Sequence, residues 1–422
     1  MHIKFIQQLI DVIRCKKKLQ NKEVQDIHKN YSLIKTNLVK KINQGEKIRV
    51  CFSVIFDSIF PAKSIFEKML QDELFDPFIL VIPDSARGEE NMLYQMNKTY
   101  KTLSSQYKQV YNSYDYNKKI FIDFSSKIDI CFFANPYDEM TESFYKIKQT
   151  SKLGILCFYT SYGYVISNWH YSLYDNPSFN SLFKIYALES FEYKKLNNKL
   201  TVPDSAKLAG YCKMDKLANI KNKERKRKKV IIAPHHTINK EGLSLSNFLE
   251  YFNFFLELPR KYTELDFIFR PHPLLFTTLE GNRIWDKEKI EEYIEEIKSN
   301  PNMKYEEEGD YLETFVNSDG LIHDCGSFSA EYLFTGHPCC YLLKDDETTT
   351  KNSNEFHQAC INQHYKAYNK QQIIDFIENI IIKENDWMKT KRKNFFETIL
   401  KINYPNTTDF IYNDIKKELG ID

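Results

Sequence analysis

The chain has 422 residues, 59 basic and 57 acidic side chains, and an apolar fraction of 42%. Charges that nearly cancel argue against a general nucleic-acid binder, and the length predicts two domains of about 200 residues each. The nine cysteines have no CxxC spacing and the sequence has no signal peptide, which together predict reduced thiols in a cytoplasmic protein. No apolar run approaches the roughly 20 residues of a membrane span.

The first 47 residues have the composition of a basic helical leader. Apolar side chains at helical spacing precede a basic cluster: Phe5, Leu9, Ile10, Ile13, then Arg14, Lys16, Lys17 and Lys18. Such a helix either packs on its own domain or makes a peripheral contact with an anionic membrane, which would be the inner face of a bacterial membrane.

From Ile48 onwards short apolar runs alternate with helical patterns. Predicted strands are Ile48 to Phe56, Phe78 to Ile82, Ile128 to Phe133, Gly154 to Tyr159 and Phe183 to Leu188. This alternation predicts a doubly wound parallel sheet in an α/β domain spanning 48–218. Asp57 follows the first strand, at the edge where such sheets bind ligands, and is either a site residue or a turn residue.

A basic stretch without apolar period, 219–229, is the predicted linker to a second α/β domain, 230–345. Its first strand runs into His235 and His236, and a later one, Phe267 to Phe269, runs into Arg270 and His272. Prolines on both sides of His272 stiffen that loop. If the two strands are neighbours, all three histidines face one cleft, where one of the pair at 235–236 binds phosphate.

The segment from Asp319 to Leu343 is predicted as a strand, a tight turn, a helix and a second strand. Gly326 is expected to form the turn, Ser327 to cap the helix and Gly336 to end it. The first-turn amides would then receive a phosphate. The alternative is an ordinary βαβ packing unit with a capped helix.

These motifs together resemble the CDP-glycerol glycerophosphotransferase family, which builds teichoic-acid-type polymers. In that family a His-Pro pair, here His272-Pro273, ends a strand. An Asp-Tyr-Ser-Ser turn, here Asp324-Cys325-Gly326-Ser327, opens a helix that carries an acidic residue, here Glu331. The sequence Gly210-Tyr211-Cys212-Lys213-Met214-Asp215 is similar to the family's Gly-x-Pro-Arg-x-Asp, with Lys213 for the arginine. The resemblance covers roughly residues 48 to 345.

The resemblance implies a GT-B-like fold with two Rossmann-like domains and a CDP-linked donor, CDP-glycerol. The partners would be this nucleotide-diphosphate donor and a polysaccharide or lipid-linked acceptor. His272 and Arg270 would contact the diphosphate together with the Asp324–Ser327 turn, and Glu331 would bind ribose. Arg270 is otherwise half of a structural ion pair, and Glu331 a carboxylate beside the helix dipole.

This chain departs from the family pattern at the residue that would act as the catalytic base. Where the family has His-Gly-Thr, this chain reads Thr160-Ser161-Tyr162-Gly163, so that Tyr162, Asp57 or His170 takes the role, or the acceptor chemistry differs. A GT-B glycosyltransferase using a nucleotide sugar, an inactive nucleotide-binding assembly protein and a sugar-nucleotide epimerase are the alternatives.

Two further expectations complete the sequence-based picture. We find no carboxylate cluster suited to a magnesium cage and therefore expect no tightly held metal and no cofactor beyond the donor itself. Residues 346–422 are predicted to be helical to the end, and the resemblance implies that these helices return to the first domain.

Overall fold

A computed structural model describes residues 2–238, 243–307, 311–347, 351 and 353–421, with side chains described from residue 18 onwards. Contacts divide the chain into two compact units. Unit 1 comprises Met1–Gly163, Tyr171–Lys213 and Ile402–Asp422, and unit 2 comprises Tyr164–His170 and Met214–Lys401. The segment 219–229 therefore lies within unit 2, and the last helix of the chain belongs to unit 1.

Unit 1 is built around a seven-stranded parallel sheet with the order β3-β2-β1-β6-β7-β8-β9. Its strands, including a separate two-stranded ribbon (β4 and β5), are β1 Ile48–Val54, β2 Phe75–Val81, β3 Val110–Asn112, β4 Tyr114–Asp115, β5 Ile120–Phe121, β6 Ile130–Phe133, β7 Leu156–Thr160, β8 Lys184–Ala187 and β9 Ala206–Leu208. Its helices before residue 213 are α1 His2–Asn43, α2 Lys63–Met69, α3 Glu89–Ser104, α4 Ile147–Ser151, α5 Pro177–Asn180 and α6 Ser190–Lys199.

Unit 2 contains a six-stranded parallel sheet with the order β12-β11-β10-β13-β14-β15. The strands are β10 Lys229–Ala233, β11 Asp266–Phe269, β12 Met303–Tyr305, β13 Gly320–His323, β14 Cys339–Leu342 and β15 Tyr365–Ala367. The helices are α7 Phe248–Lys261, α8 Leu275–Gly281, α9 Lys287–Ser299, α10 Tyr311–Val316, α11 Phe328–Glu331, α12 Glu355–Ile361, α13 Lys370–Asp375 and α14 Lys389–Phe395; α15, Thr407–Glu418, returns to unit 1.

Both sheets reverse their strand order at one point, between β1 and β6 in unit 1 and between β10 and β13 in unit 2. Parallel sheets that reverse order this way are doubly wound, and they bind ligands beyond the carboxyl ends of the strands at the reversal. The predicted fold class, two Rossmann-like α/β domains of GT-B type, is therefore confirmed.

The hydrophobic pattern explains the strands well, because both faces of each sheet are covered. All four residues of β6, β8, β13 and β14 are buried. One prediction is wrong: the chain beyond residue 346 is not wholly helical, since β15 pairs with β14 there. Three residues are too few to give a period-two signal.

The leader forms α1, which packs within unit 1 through four buried side chains, Val24, Ile27, Tyr31 and Leu38. The Tyr31 hydroxyl donates to the carbonyl of Ser181 at 2.5 Å. This contact matches the packing alternative for the leader from residue 18 onwards. The apolar and basic side chains predicted to meet a membrane lie outside the described side chains, except Lys18. Among the described residues no helix is long and apolar enough to cross a bilayer.

Candidate functional site

The best-formed candidate site lies where unit 2 reverses its strand order. His235 and His236 follow β10, and His272 follows the neighbouring β11. The backbone N–H of His272 donates to the carbonyl of Pro234 at 2.9 Å, which ties the two strand ends together. The ring centroids of His272 lie 4.1 Å from His236 and 4.9 Å from His235. The structure thus brings together the three histidines that the sequence placed in one cleft.

Backbone amides fix the protonation of two of these rings. The Leu274 N–H donates to Nδ1 of His272 at 3.1 Å, and the Thr237 N–H donates to Nδ1 of His235 at 3.3 Å. Nδ1 of His235 also lies 2.8 Å from the Thr237 hydroxyl, which accepts the Leu245 N–H and can donate its own proton to the ring. An amide can only donate, so each Nδ1 is an acceptor and the proton of the neutral ring sits on Nε2. Both rings therefore present an N–H donor, which suits an anion.

Burial keeps these rings neutral. It lowers the pKa of His272 to about 3, with a smaller contribution from neighbouring His236, and it lowers the pKa of His235 well below the usual range. The three rings have nitrogens within 4.8 Å of one another, close enough for one metal ion. Because backbone N–H groups already point at Nδ1 of His272 and His235, a metal ion would have to bind Nε2 of these rings, where they carry their protons. The geometry fits an anion such as phosphate better than a cation.

Asp324 is buried and holds neighbouring backbone in place. Its carboxylate is fully buried and accepts hydrogen bonds from the N–H of His235 at 2.6 Å and from the N–H of Asn247 at 2.5 Å. Burial raises the pKa of Asp324 to about 6 despite these donors. Asp324 therefore holds the His235 loop in place.

The turn after Asp324 differs from the sequence expectation. Ser327 has helical backbone angles and makes no side-chain cap, so the predicted cap is wrong. The hydroxyl of Ser329 donates to the carbonyl of Gly326 at 2.6 Å, a bond within the turn that caps no N–H. Helix α11 has only four residues before it tightens into a 3₁₀ turn that ends at Gly336, where φ is 73° as predicted for a stop signal. A helix this short offers little dipole for an anion.

Gly326 is needed for space and is not among the described glycines with positive φ. A Cβ there would lie 2.1 Å from Cδ1 of Ile166, which belongs to the same unit. We therefore expect Gly326→Ala to lower the free energy of unfolding by about 1 kcal/mol, and the melting temperature with it. This is the low end of the usual cost of overpacking, because the end of the Ile166 side chain can shift. Ile166→Val removes that Cδ1, so the double variant should recover most of the loss in urea unfolding. An unchanged melting temperature in the single variant would contradict the close approach.

Arg270 and Glu331, which were predicted to contact the donor, each pair with another side chain of unit 2. Arg270 is buried and pairs with Oε2 of Glu306 at 2.6 Å. Glu331 is also buried and accepts a hydrogen bond from the hydroxyl of Tyr311. The ion pair is the alternative that the sequence left open for Arg270, and its partner lies 36 residues away.

Three predicted residues lie in unit 1. Asp57 is half-buried after β1, and its loop is held by the buried Thr99, whose hydroxyl accepts from the Asp57 N–H at 3.3 Å. Tyr162 follows β7 with its hydroxyl 3.4 Å from that of Tyr137, and burial raises the pKa of Tyr162. Lys213 is half-buried in a 3₁₀ helix, Cys212–Asn219.

The remaining candidate base, His170, lies in the short segment of unit 2 before residue 171. Its Nδ1 is 3.0 Å from the hydroxyl of Ser167, and burial lowers its pKa to about 4. Tyr162 thus keeps its proton at neutral pH, whereas His170 is neutral and able to accept one. The choice among Asp57, Tyr162 and His170 stays a prediction.

Comparison with known proteins places the chain in a structural class. No family model matches the sequence, and no curated protein matches it. Solved structures of the GT-B class match the fold. A variant of the wall teichoic acid polymerase TagF aligns with a TM-score of 0.59 and 14% identity, covering 100% of this chain and 98% of that one.

Two other solved structures are similar to a comparable degree. The S. aureus MnaA–UDP structure has a TM-score of 0.57 and 14% identity, covering 89% of this chain and 97% of that one. UDP-GlcNAc 2-epimerase from Neisseria meningitidis, bound to UDP-GlcNAc, has a TM-score of 0.55 and 13% identity, covering 88% and 100%. At these identities the similarity establishes the fold.

Proposed function

We propose that the protein is a transferase that moves a glycerophosphate or related polyol-phosphate group from a CDP-linked donor to a hydroxyl of a polysaccharide or lipid-linked acceptor. The observation that carries this proposal is the group of three histidines at the strand reversal of unit 2, two of which present Nε2–H donors. His272 is the histidine of the His-Pro pair through which the sequence resembles the glycerophosphotransferases.

The solved structures support a nucleotide-diphosphate donor. TagF was also solved after a soak with CDPG, and that structure aligns with a TM-score of 0.59 over 97% of this chain. The MnaA structure holds UDP, and two UDP-GlcNAc 2-epimerase structures hold UDP-GlcNAc, one of them together with UDP. A site with neutral N–H donors suits the diphosphate common to these ligands.

In the proposed reaction an acceptor hydroxyl attacks the phosphorus next to glycerol. A new O–P bond forms, the bond to the CMP oxygen breaks, and the hydroxyl proton passes to a base. Negative charge gathers on the phosphoryl and leaving oxygens, where Nε2–H of His272 and of His235 would donate hydrogen bonds. Because amides hold both rings in the donating form, little reorganisation is needed when the donor binds. Asp57 or His170 would take the proton.

The most direct test of this proposal is to identify which nucleotide the protein binds. A ligand that binds only the folded state raises the free energy of unfolding, by about 2.7 kcal/mol at a ligand concentration of 100 Kd. The melting temperature rises as a result. We expect CMP and CDP-glycerol to stabilise the protein, and CMP to be released from CDP-glycerol in the presence of a polyol-phosphate acceptor.

Other outcomes would redirect the assignment. Stabilisation by UDP or UDP-GlcNAc alone would replace the proposal with a nucleotide-sugar glycosyltransferase or epimerase, which the similarity to epimerase structures already favours as the second candidate. Binding of CMP without turnover would indicate a nucleotide-binding protein that has lost catalysis. Guanosine diphosphate serves as the nucleotide control.

A further inference from the structure

A second polar cluster lies inside unit 2, beneath the turn that follows β13. It consists of His323 at the end of β13, Cys339 at the start of β14 and His364 just before β15. His323 and Cys339 are fully buried and His364 is 2% exposed. One ring nitrogen of each histidine and the cysteine Sγ all lie within 4.8 Å of one another.

Protein contacts decide which nitrogen of each ring is protonated. The Cys325 N–H donates to Nδ1 of His323 at 3.2 Å, so the proton of His323 sits on Nε2. Nε2 of His364 lies 2.8 Å from the carbonyl of Ser329, and a carbonyl only accepts, so His364 carries its proton there and has a lone pair on Nδ1. Two ring nitrogens inside the cluster remain without a protein partner, Nε2 of His323 and Nδ1 of His364. The first carries a proton and is a donor, whereas the second has a lone pair and is an acceptor.

We propose that this cluster is a binding site for one water molecule, which accepts a hydrogen bond from Nε2–H of His323 and donates one to Nδ1 of His364. Two partners of a tetrahedral water at about 2.8 Å each lie about 4.6 Å apart, a separation that falls within the 4.8 Å limit on the distances between the cluster's polar atoms. The second water proton faces Cys339 Sγ, a weak acceptor.

The same contacts argue against a metal ion, the other ligand that two imidazoles and a thiol would suit. A cation would need the lone pair of His323 on Nε2, and the proton would have to move to Nδ1, against the Cys325 N–H that already points there. Water satisfies both rings as they stand.

The bound water closes a chain of hydrogen bonds around the turn. His323 holds the Cys325 amide, the water joins His323 to His364, His364 holds the carbonyl of Ser329, and the hydroxyl of Ser329 holds the carbonyl of Gly326. Asp324 lies within this turn and fixes the His235 loop. His323 and His364 are therefore positioning residues for the donor site; this consequence rests on the proposed function, whereas the water site does not.

The water site is tested on the wild-type protein without substrate. Nitrogen-15 NMR of histidine-labelled protein should show His323 and His364 both protonated on Nε2, and a high-resolution crystal structure should show one water between them. A proton on Nδ1 of His323, a direct contact between the two rings, or one equivalent of metal that survives dialysis against EDTA would each overturn the proposal.

The positioning role is tested with two matched variants, His364→Phe and His357→Phe. His357 is a fully buried histidine nearby that contacts Ser353 Oγ at 2.7 Å and takes no part in the chain around the turn. Both variants should lower the melting temperature. We expect only His364→Phe to weaken CMP binding, by about fivefold or more. Equal effects of both variants on CMP affinity, or no effect of His364→Phe, would overturn the role; a wild-type protein that binds no cytidine nucleotide would instead refute the proposed function and leave the NMR result standing.

Discussion

Replacing His272 by alanine is expected to lower the rate of CMP release by about 10²-fold or more, the usual cost of removing one preorganised donor to a transition-state oxygen. The alanine variant should remain folded, because His272 lies at a strand end and its ring contacts other loop histidines. The melting temperature and the initial rate with a polyol-phosphate acceptor are the measurements.

A matched variant separates hydrogen bonding from shape. Glutamine at position 272 can place an amide N–H near the position of Nε2, so His272→Gln should recover part of the rate that alanine loses. A fully active alanine variant would refute the catalytic role, as would one that is inactive only because it is unfolded. His170→Ala, assayed alongside, should lower the rate only if His170 is the base.

The free energy of unfolding is expected to fall by several kcal/mol between pH 7 and pH 5. Burial lowers the pKa of His357 to about 3 and that of His364 to about 4, and it lowers the pKa of His323 well below its usual range. In the unfolded chain these imidazoles titrate near 6.5. As the pH falls below 6.5, the unfolded chain binds protons that the folded chain does not, and stability is lost at up to about 1.4 kcal/mol per pH unit for each histidine.

Buried carboxyl groups act in the opposite direction. Burial raises the pKa of Asp324 to about 6, that of Glu189 to about 8 and that of Glu192 above its ordinary value, so the stability they contribute is lost as the pH rises through the folded-state values. The histidines whose pKa burial lowers, which also include His170, His235 and His272, outnumber these carboxyl groups, and the net effect below pH 6.5 is a loss. Urea unfolding at pH 7, 6 and 5 measures it, and His357→Phe should flatten the slope by about one proton. Equal stability at pH 7 and pH 5 would contradict the neutral, buried rings.

The sequence predicted the two sheets and the histidine site because both depend on local signals. Runs such as Val230 to Ala233 mark buried strands, and prolines on both sides of His272 mark a stiff loop at a strand end. Neighbouring strand ends then bring the histidines together, which requires only that β10 and β11 be adjacent.

The partners of the site residues could not be predicted, because they come from distant parts of the chain. Arg270 pairs with Glu306, and the carboxylate of Asp324 receives the amides of His235 and Asn247, 89 and 77 residues earlier. The predicted cap at Ser327 fails for a local reason. The backbone of Ser327 is already helical, with φ −66° and ψ −30°, whereas a capping residue needs a non-helical backbone so that its side chain can accept an N–H of the first turn.

The return of the last helix to unit 1 has a consequence for how the protein is made. Ile411, Ile415 and Leu419 belong to the same core as β1 and α2, although the whole of residues 214–401 intervenes. Unit 1 begins at the amino terminus, yet its core cannot close until these residues have left the ribosome. Synthesis of the roughly 190 intervening residues takes about 10–40 s, during which the nascent unit 1 exposes the apolar surface that α15 later covers. Unit 2 is contiguous apart from residues 164–170 and can therefore finish folding before the unit that was synthesised first.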